Sequence, residues 1–115
     1  MIYDKAHELA RALKTSPEYL AFLKAKEALA PDEDAKKMVR EFMMKKAELE
    51  YDAMSGKGED KAKVEQVQRM FELLTYNSKA RAFMEDYSRF QRIMADVSKI
   101  IGESVAEGLD LFAKD

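Results

Sequence analysis

The sequence predicts an all-α fold: about five helices in a helical bundle, with a long helical hairpin and a long C-terminal helix. One domain spans residues 1–115. Three observations predict it. Four Gly and two Pro in 115 residues fall well below the usual combined share of about 12%, too few turn formers for the hairpins of a sandwich or barrel. Apolar residues recur at three- and four-residue spacing along most of the chain. Charged residues make up 37%, against about 25% in an average globular protein, which suits helices with one wet face.

Taken in order, the first helix covers about 2–14, with Ile2, Ala6, Leu9 and Leu13 as its expected buried face. It ends at Ser16-Pro17-Glu18, where Ser16 reads as an N-cap and Pro17 as the first residue of the next helix, a position at which its missing N–H costs nothing. The second helix runs to about Leu29 and buries some of Tyr19, Leu20, Phe22 and Leu23. Pro31 pushes residue 30 out of helical geometry, and the acidic run Asp32-Glu33-Asp34 suits a new helix N-terminus. The third helix, about 33–54, carries Ala35, Met38, Val39, Phe42, Met43, Leu49 and Ala53 at helical spacing. Residues 55–60, with Gly56 and Gly58 able to take positive φ, form the one strong loop. The fourth helix, about 59–75, repeats Val64, Val67, Phe71 and Leu74.

The last stripe, Ala80, Phe83, Tyr87, Phe90, Met94, Val97 and Ile101, is out of phase with the fourth by about 200°. One continuous helix would face its core in opposite directions, so a break is expected at 76–78 with Asn77 or Ser78 as the cap; the alternative is one long helix packed on different neighbours at its two halves. From about 78 to 107 the last helix is about 45 Å long, whereas a compact chain of this size is about 35 Å across. Met84, Ile93, Ile100 and Val105 widen its stripe, and Phe112 follows near the end. A face this broad needs more than one neighbour; a second copy is the simplest source, and the chain's own third and fourth helices are the alternative. Phe83, Tyr87, Phe90, Met94, Val97 and Ile101 are therefore the candidate core and oligomer interface.

Charge and chemistry narrow the function. The absence of Cys excludes a disulfide framework, a thiolate metal site and a catalytic thiol. A single His removes most zinc ligand sets and nucleophile–base pairs. Asp4-x-x-His7 resembles half of a di-iron carboxylate site, but no second His exists to complete it. Asp32-Glu33-Asp34 lacks the glycine-containing loop and terminal Glu of a calcium-binding EF-hand. Gly56-Lys57-Gly58 is neither preceded by a strand nor followed by the Lys-Ser/Thr pair of a phosphate loop. The net charge of -2 is unlike a domain that wraps nucleic acid. Residues 36–46 form the one basic stretch, and Lys36, Lys37, Arg40, Lys45 and Lys46 are the candidate basic patch. On a helix 36, 37 and 40 share a face while 45 and 46 point elsewhere. The eight Met residues mostly sit on or beside apolar stripes and are expected to fill core gaps, with an adaptable partner surface at Met43, Met44 and Met84 as the alternative. There is no 18-residue apolar run to span a membrane, and the N-terminus lacks the signature of a secretory signal, so a cytoplasmic protein is expected.

The residues Ile2-Tyr3-Asp4-Lys5-Ala6-His7-Glu8-Leu9-Ala10, then Ser16-Pro17-Glu18-Tyr19, then 34–38 through Phe42, and finally Asn77, Phe83-Met84-Glu85 and 89–101 resemble, in order and spacing, the YlbF/YmcA family of small bacterial helical proteins. The resemblance spans about residues 2–108. It implies an all-α, dimer-forming fold without known enzymatic activity. Named members are cytoplasmic regulators of competence, sporulation and biofilm development in Gram-positive bacteria, acting in a complex that redirects ribonuclease Y toward particular transcripts. Complex-forming members carry cysteines linked to iron–sulfur clusters. This chain has none and is more similar to the cysteine-free branch.

The expectation is a non-enzymatic cytoplasmic regulator or adaptor acting through helical protein–protein interfaces, with no catalytic residue, cofactor or metal. Its expected partners are itself, as a homodimer or higher homo-oligomer, and a protein of RNA processing. The rival expectation is an RNA-binding or RNA-decay accessory factor using the basic stretch 36–46.

Overall fold

The computed structural model describes residues 1–110, which form six helices and no strand. They are α1 (Ile2–Lys14), α2 (Pro17–Leu29), α3 (Glu33–Met54), α4 (Lys61–Thr75), α5 (Ser78–Ser104) and the short α6 (Ala106–Leu109).

Side-chain caps set most of these boundaries. Ser16 Oγ accepts the Tyr19 amide at 3.2 Å, with Pro17 opening α2. Asp32 accepts the Ala35 amide at 3.0 Å and starts α3. Asp60 accepts the amides of Ala62 and Lys63 at 3.0 and 3.4 Å, so α4 begins at Lys61, not at 59. Gly56 and Gly58, at φ of 81° and 80°, turn the chain between α3 and α4. Each cap satisfies amides that the first turn of a helix leaves without partners.

The break between α4 and α5 lies at 76–78. Asn77 is the cap, its Oδ1 accepting the amides of Lys79 and Ala80 at 3.1 and 3.0 Å. Ala30 departs from expectation, keeping helical dihedrals of -54° and -42° despite the following proline. The chain turns one residue later, where the Asp32 amide donates to the Leu29 carbonyl at 3.0 Å; proline disfavours helical geometry before it without forbidding it. The last helix is also shorter than expected. Ser104 Oγ donates to the Ile101 carbonyl at 2.7 Å, a local bond that competes with the helical ladder, and Val105 leaves the helix at φ -115°, ψ 10°.

The core sits where α2 ends, α3 begins, α4 ends and α5 begins. Leu29, Ala35, Val39, Phe42, Leu74, Ala80 and Met84 are buried there, with Met43, Val67, Met70, Phe83 and Tyr87 packed against them. The most extensive helix contact is α2 on α5, followed by the α3–α4 hairpin.

Several residues expected inside are outside. Ile2, Ala6 and Leu9 are exposed and Leu13 is half-buried, because α1 touches only α2 and its apolar stripe meets no second neighbour. Leu20 and Ala53 are exposed, lying on faces that no other helix reaches. Phe71 is also exposed, although its ring lies 5.4 Å from that of Phe42; it borders an open cavity shared with Met84 and Ser88 of α5. Phe112 lies outside the described residues.

The result is an open, flattened bundle. Its extents are 46 × 39 × 15 Å and its radius of gyration is 17.9 Å, against about 13 Å for a compact chain of this length. A backbone extent of 15 Å in the thin direction corresponds to about two layers of helices, whose axes pack roughly 8–10 Å apart.

Candidate interaction surface

The α2–α5 seam is aromatic. Phe22 sits 5.3 Å from Phe83, 5.7 Å from Tyr87 and 6.1 Å from Phe90, and Tyr19 lies 5.0 Å from Phe90. Centroid separations of this size are those of favourable aromatic pairs. The two helices run antiparallel, with the start of α2 beside Phe90 and its end beside the start of α5. Past Phe90 the seam stops, since α1 turns away and makes no contact with α5.

Exposure along α5 follows from that geometry. Ala80 and Met84 are buried; Phe83, Tyr87, Phe90, Ile93 and Val97 are half-buried; Met94, Ile100 and Ile101 are exposed, as are Val105 and Leu109 beyond the helix. Of the six residues singled out from sequence, Phe83 and Tyr87 pack on the core cluster. Phe90 closes the aromatic seam, Val97 is half-covered, and Met94 and Ile101 face outward. Ile100 is 68% and Ile101 53% exposed. On the N-terminal side, Ile2 is 82% exposed. The molecule thus carries two uncovered apolar faces, on α1 and on the C-terminal half of α5 with α6.

A groove of about 760 Å³ opens between α2, α3 and the start of α5. Tyr19, Phe22, Leu23, Met43, Met44 and Phe83 make its apolar wall, and Lys26, Lys36 and Arg40 stand among its lining residues. Met43 and Met44 thus share this surface, whereas Met84 is buried in the core. Leu23 and Lys26 line the groove without having been singled out as surface residues. Their signal lay in α2, whose apolar residues wrap round the helix rather than forming one stripe, a pattern that asks for cover on two sides.

The basic stretch does not form one patch. Lys36 pairs with Glu33 at 3.5 Å, Lys37 with Glu41 at 4.0 Å and Lys45 with Glu48 at 3.5 Å. Lys36 and Arg40 border the α2–α3 groove, Lys45 faces α4 beside Gln66 and Met70, and Lys46 lies near Leu49 and Gln68. Charges this dispersed and mostly neutralised do not line up along a phosphate backbone.

Lys63 of α4 bridges to α3, with Nζ 3.1 Å from both Glu48 Oε1 and Asp52 Oδ2. The hydrogen bonds that Lys63 donates to Asp52 and Glu48, with the negative charges of those acids, raise the Lys63 pKa. Those from Lys63 and Lys45 lower that of Glu48. This cluster clamps the hairpin. His7 is exposed on α1, and no group of three or more potential metal-ligating side chains occurs among the described residues. No helix among them is long and apolar enough to cross a membrane.

Residues 2–106 match the family described as control of competence regulator ComK, YlbF/YmcA. A UPF0342 protein of Desulfitobacterium hafniense is 37% identical over 114 residues, which cover 99% of this chain and 92% of that protein. One from Caldicellulosiruptor saccharolyticus is 36% identical over 104 residues, 90% of this chain and 87% of its own. Another from Symbiobacterium thermophilum is 35% identical over 104 residues, 90% and 93% respectively.

Proposed function

The chain belongs to the YlbF/YmcA family, and on that premise we propose that it is a non-enzymatic cytoplasmic regulator that acts by holding proteins, beginning with a second copy of itself, against its open helical faces. The observation that carries this reading is surface. The chain exposes 9401 Å², whereas a compact monomer of 13.2 kDa exposes about 6,400 Å². Ile2, Tyr3 and Leu9 on α1 and Met94, Ile100, Ile101, Val105 and Leu109 on α5–α6 are among the exposed apolar residues, and apolar surface gathered on one face marks protein contacts. A protein of RNA processing, implied by the family resemblance, is the partner class we assign to the surface left after self-association. Direct RNA binding is not favoured, because the cations of α3 are scattered over several faces and Lys36, Lys37 and Lys45 are paired with acids of the same helix.

Sedimentation equilibrium at tens of micromolar tests the first half, with a dimer or larger species expected and a stable folded monomer overturning it. Affinity purification from the native host tests the second. A partner retained by the wild-type chain and lost with Ile101→Glu or Ile2→Glu supports an adaptor, and equal recovery with all three removes these faces from the role.

A further inference from the structure

We propose that the groove between α2 and α3 receives the acidic C-terminal end of α5 and α6 from a second copy of this chain. The inference rests on the self-association reading above and specifies which surfaces meet. Two features of one molecule are complementary. The groove has an apolar wall, including Phe22, Met43, Met44 and Phe83, and a cationic border at Lys26, Lys36 and Arg40. Lys36 pairs with Glu33, while Lys26 and Arg40 form no ion pair among the described residues. The far end of the molecule carries the inverse pattern. Ile100, Ile101, Val105 and Leu109 are exposed, and Glu103, Glu107 and Asp110 lie among them. Among the described residues only Glu103 has a partner there, Lys99 at 3.8 Å on the same exposed face. Among the described residues α6 touches α5 alone, so α6 does not fill the groove of its own chain.

Length and symmetry make the contact reciprocal. The groove lies beside Phe83 near the start of α5, and the acidic end lies about 26 residues further along, roughly 39 Å away at helical rise. A two-fold axis beside the exposed Met94 sets two α5 helices antiparallel and lays each acidic end over the other copy's groove. The pair of contacts closes as a dimer and leaves no open end to propagate. Burying the apolar end supplies the affinity, and the charges at the rim set the register.

The charges are exposed, so reversing them leaves the fold intact, which far-ultraviolet circular dichroism verifies. Lys26→Glu/Arg40→Glu and, separately, Glu103→Lys/Glu107→Lys are each expected to weaken self-association about tenfold by sedimentation equilibrium. Mixing the two variants one to one is expected to restore wild-type affinity, because both contacts in the mixed dimer again join opposite charges. The cysteine-free background provides a second measurement. A Met44→Cys chain mixed with an Ile101→Cys chain is expected to cross-link through a short bis-maleimide. A monomeric wild-type protein overturns self-association and this contact together. A stable dimer that is indifferent to both reversals, with no gain on mixing and no cross-link, overturns the contact alone.

Discussion

Leu74 is the largest side chain without exposed surface among the described residues, and it lies where four helices converge. Leu74→Ala is expected to cost about 2–5 kcal/mol, since the cavity is walled by residues on separate helices that cannot all close in; urea unfolding measures it. Lys63 gives a prediction in pH. The Glu48 pKa lies below its ordinary 4.5, so that part of the clamp is present above the ordinary value and is lost as pH falls through the lowered one. The Lys63 pKa lies above its ordinary 10.5, so its part is present below 10.5 and is lost as pH rises through the raised value. Thermal melts of the wild-type chain and Lys63→Met are therefore expected to differ by a constant, small amount through the neutral range and to converge below pH 4.5 and above pH 10.5. A difference that stays constant into acid and into strong alkali excludes this ionic origin. At this scale the caps were legible, because Ser16, Asp32 and Asn77 act on amides two or three residues away. The Lys63 clamp was not, since its acids come from another helix.

The break at 76–78 is the element-scale event on which the topology turns. It was legible because two apolar stripes on opposite helix faces cannot share one straight helix and one core. Asn77→Ala removes the acceptor for two amides and is expected to destabilise the chain by about 1 kcal/mol, read by urea unfolding. Unchanged stability would mean that tertiary packing alone holds the corner. The elements themselves were read to within a few residues. The faces they bury were read less well. The stripe of α1 predicts a neighbour, yet the chain offers α1 only one edge of α2. Phe71 and Ala53 fit a helical period and still face water. Periodicity says that a face is apolar and is silent on what stands opposite it.

At the scale of the molecule, thinness is the governing property. A slab with a backbone thickness of 15 Å has a small interior, confined to the cluster around Leu74. If a second copy completes the interior, the melting temperature is expected to rise with protein concentration, since folding is then coupled to assembly. A calorimetric midpoint that stays fixed from micromolar to hundreds of micromolar would show one copy to be self-sufficient. The overhang of α5 was legible from its length and the breadth of its stripe. The groove was not, because Phe22, Lys26, Met43 and Phe83 are brought together from three helices distant in sequence. The sequence by itself determined the helices, their caps, the corner at Asn77 and the family, all written in spacing and short-range hydrogen bonds. Only the tertiary structure decided which apolar faces are covered and where the cations of α3 go, because burial depends on whichever helix arrives from elsewhere in the chain.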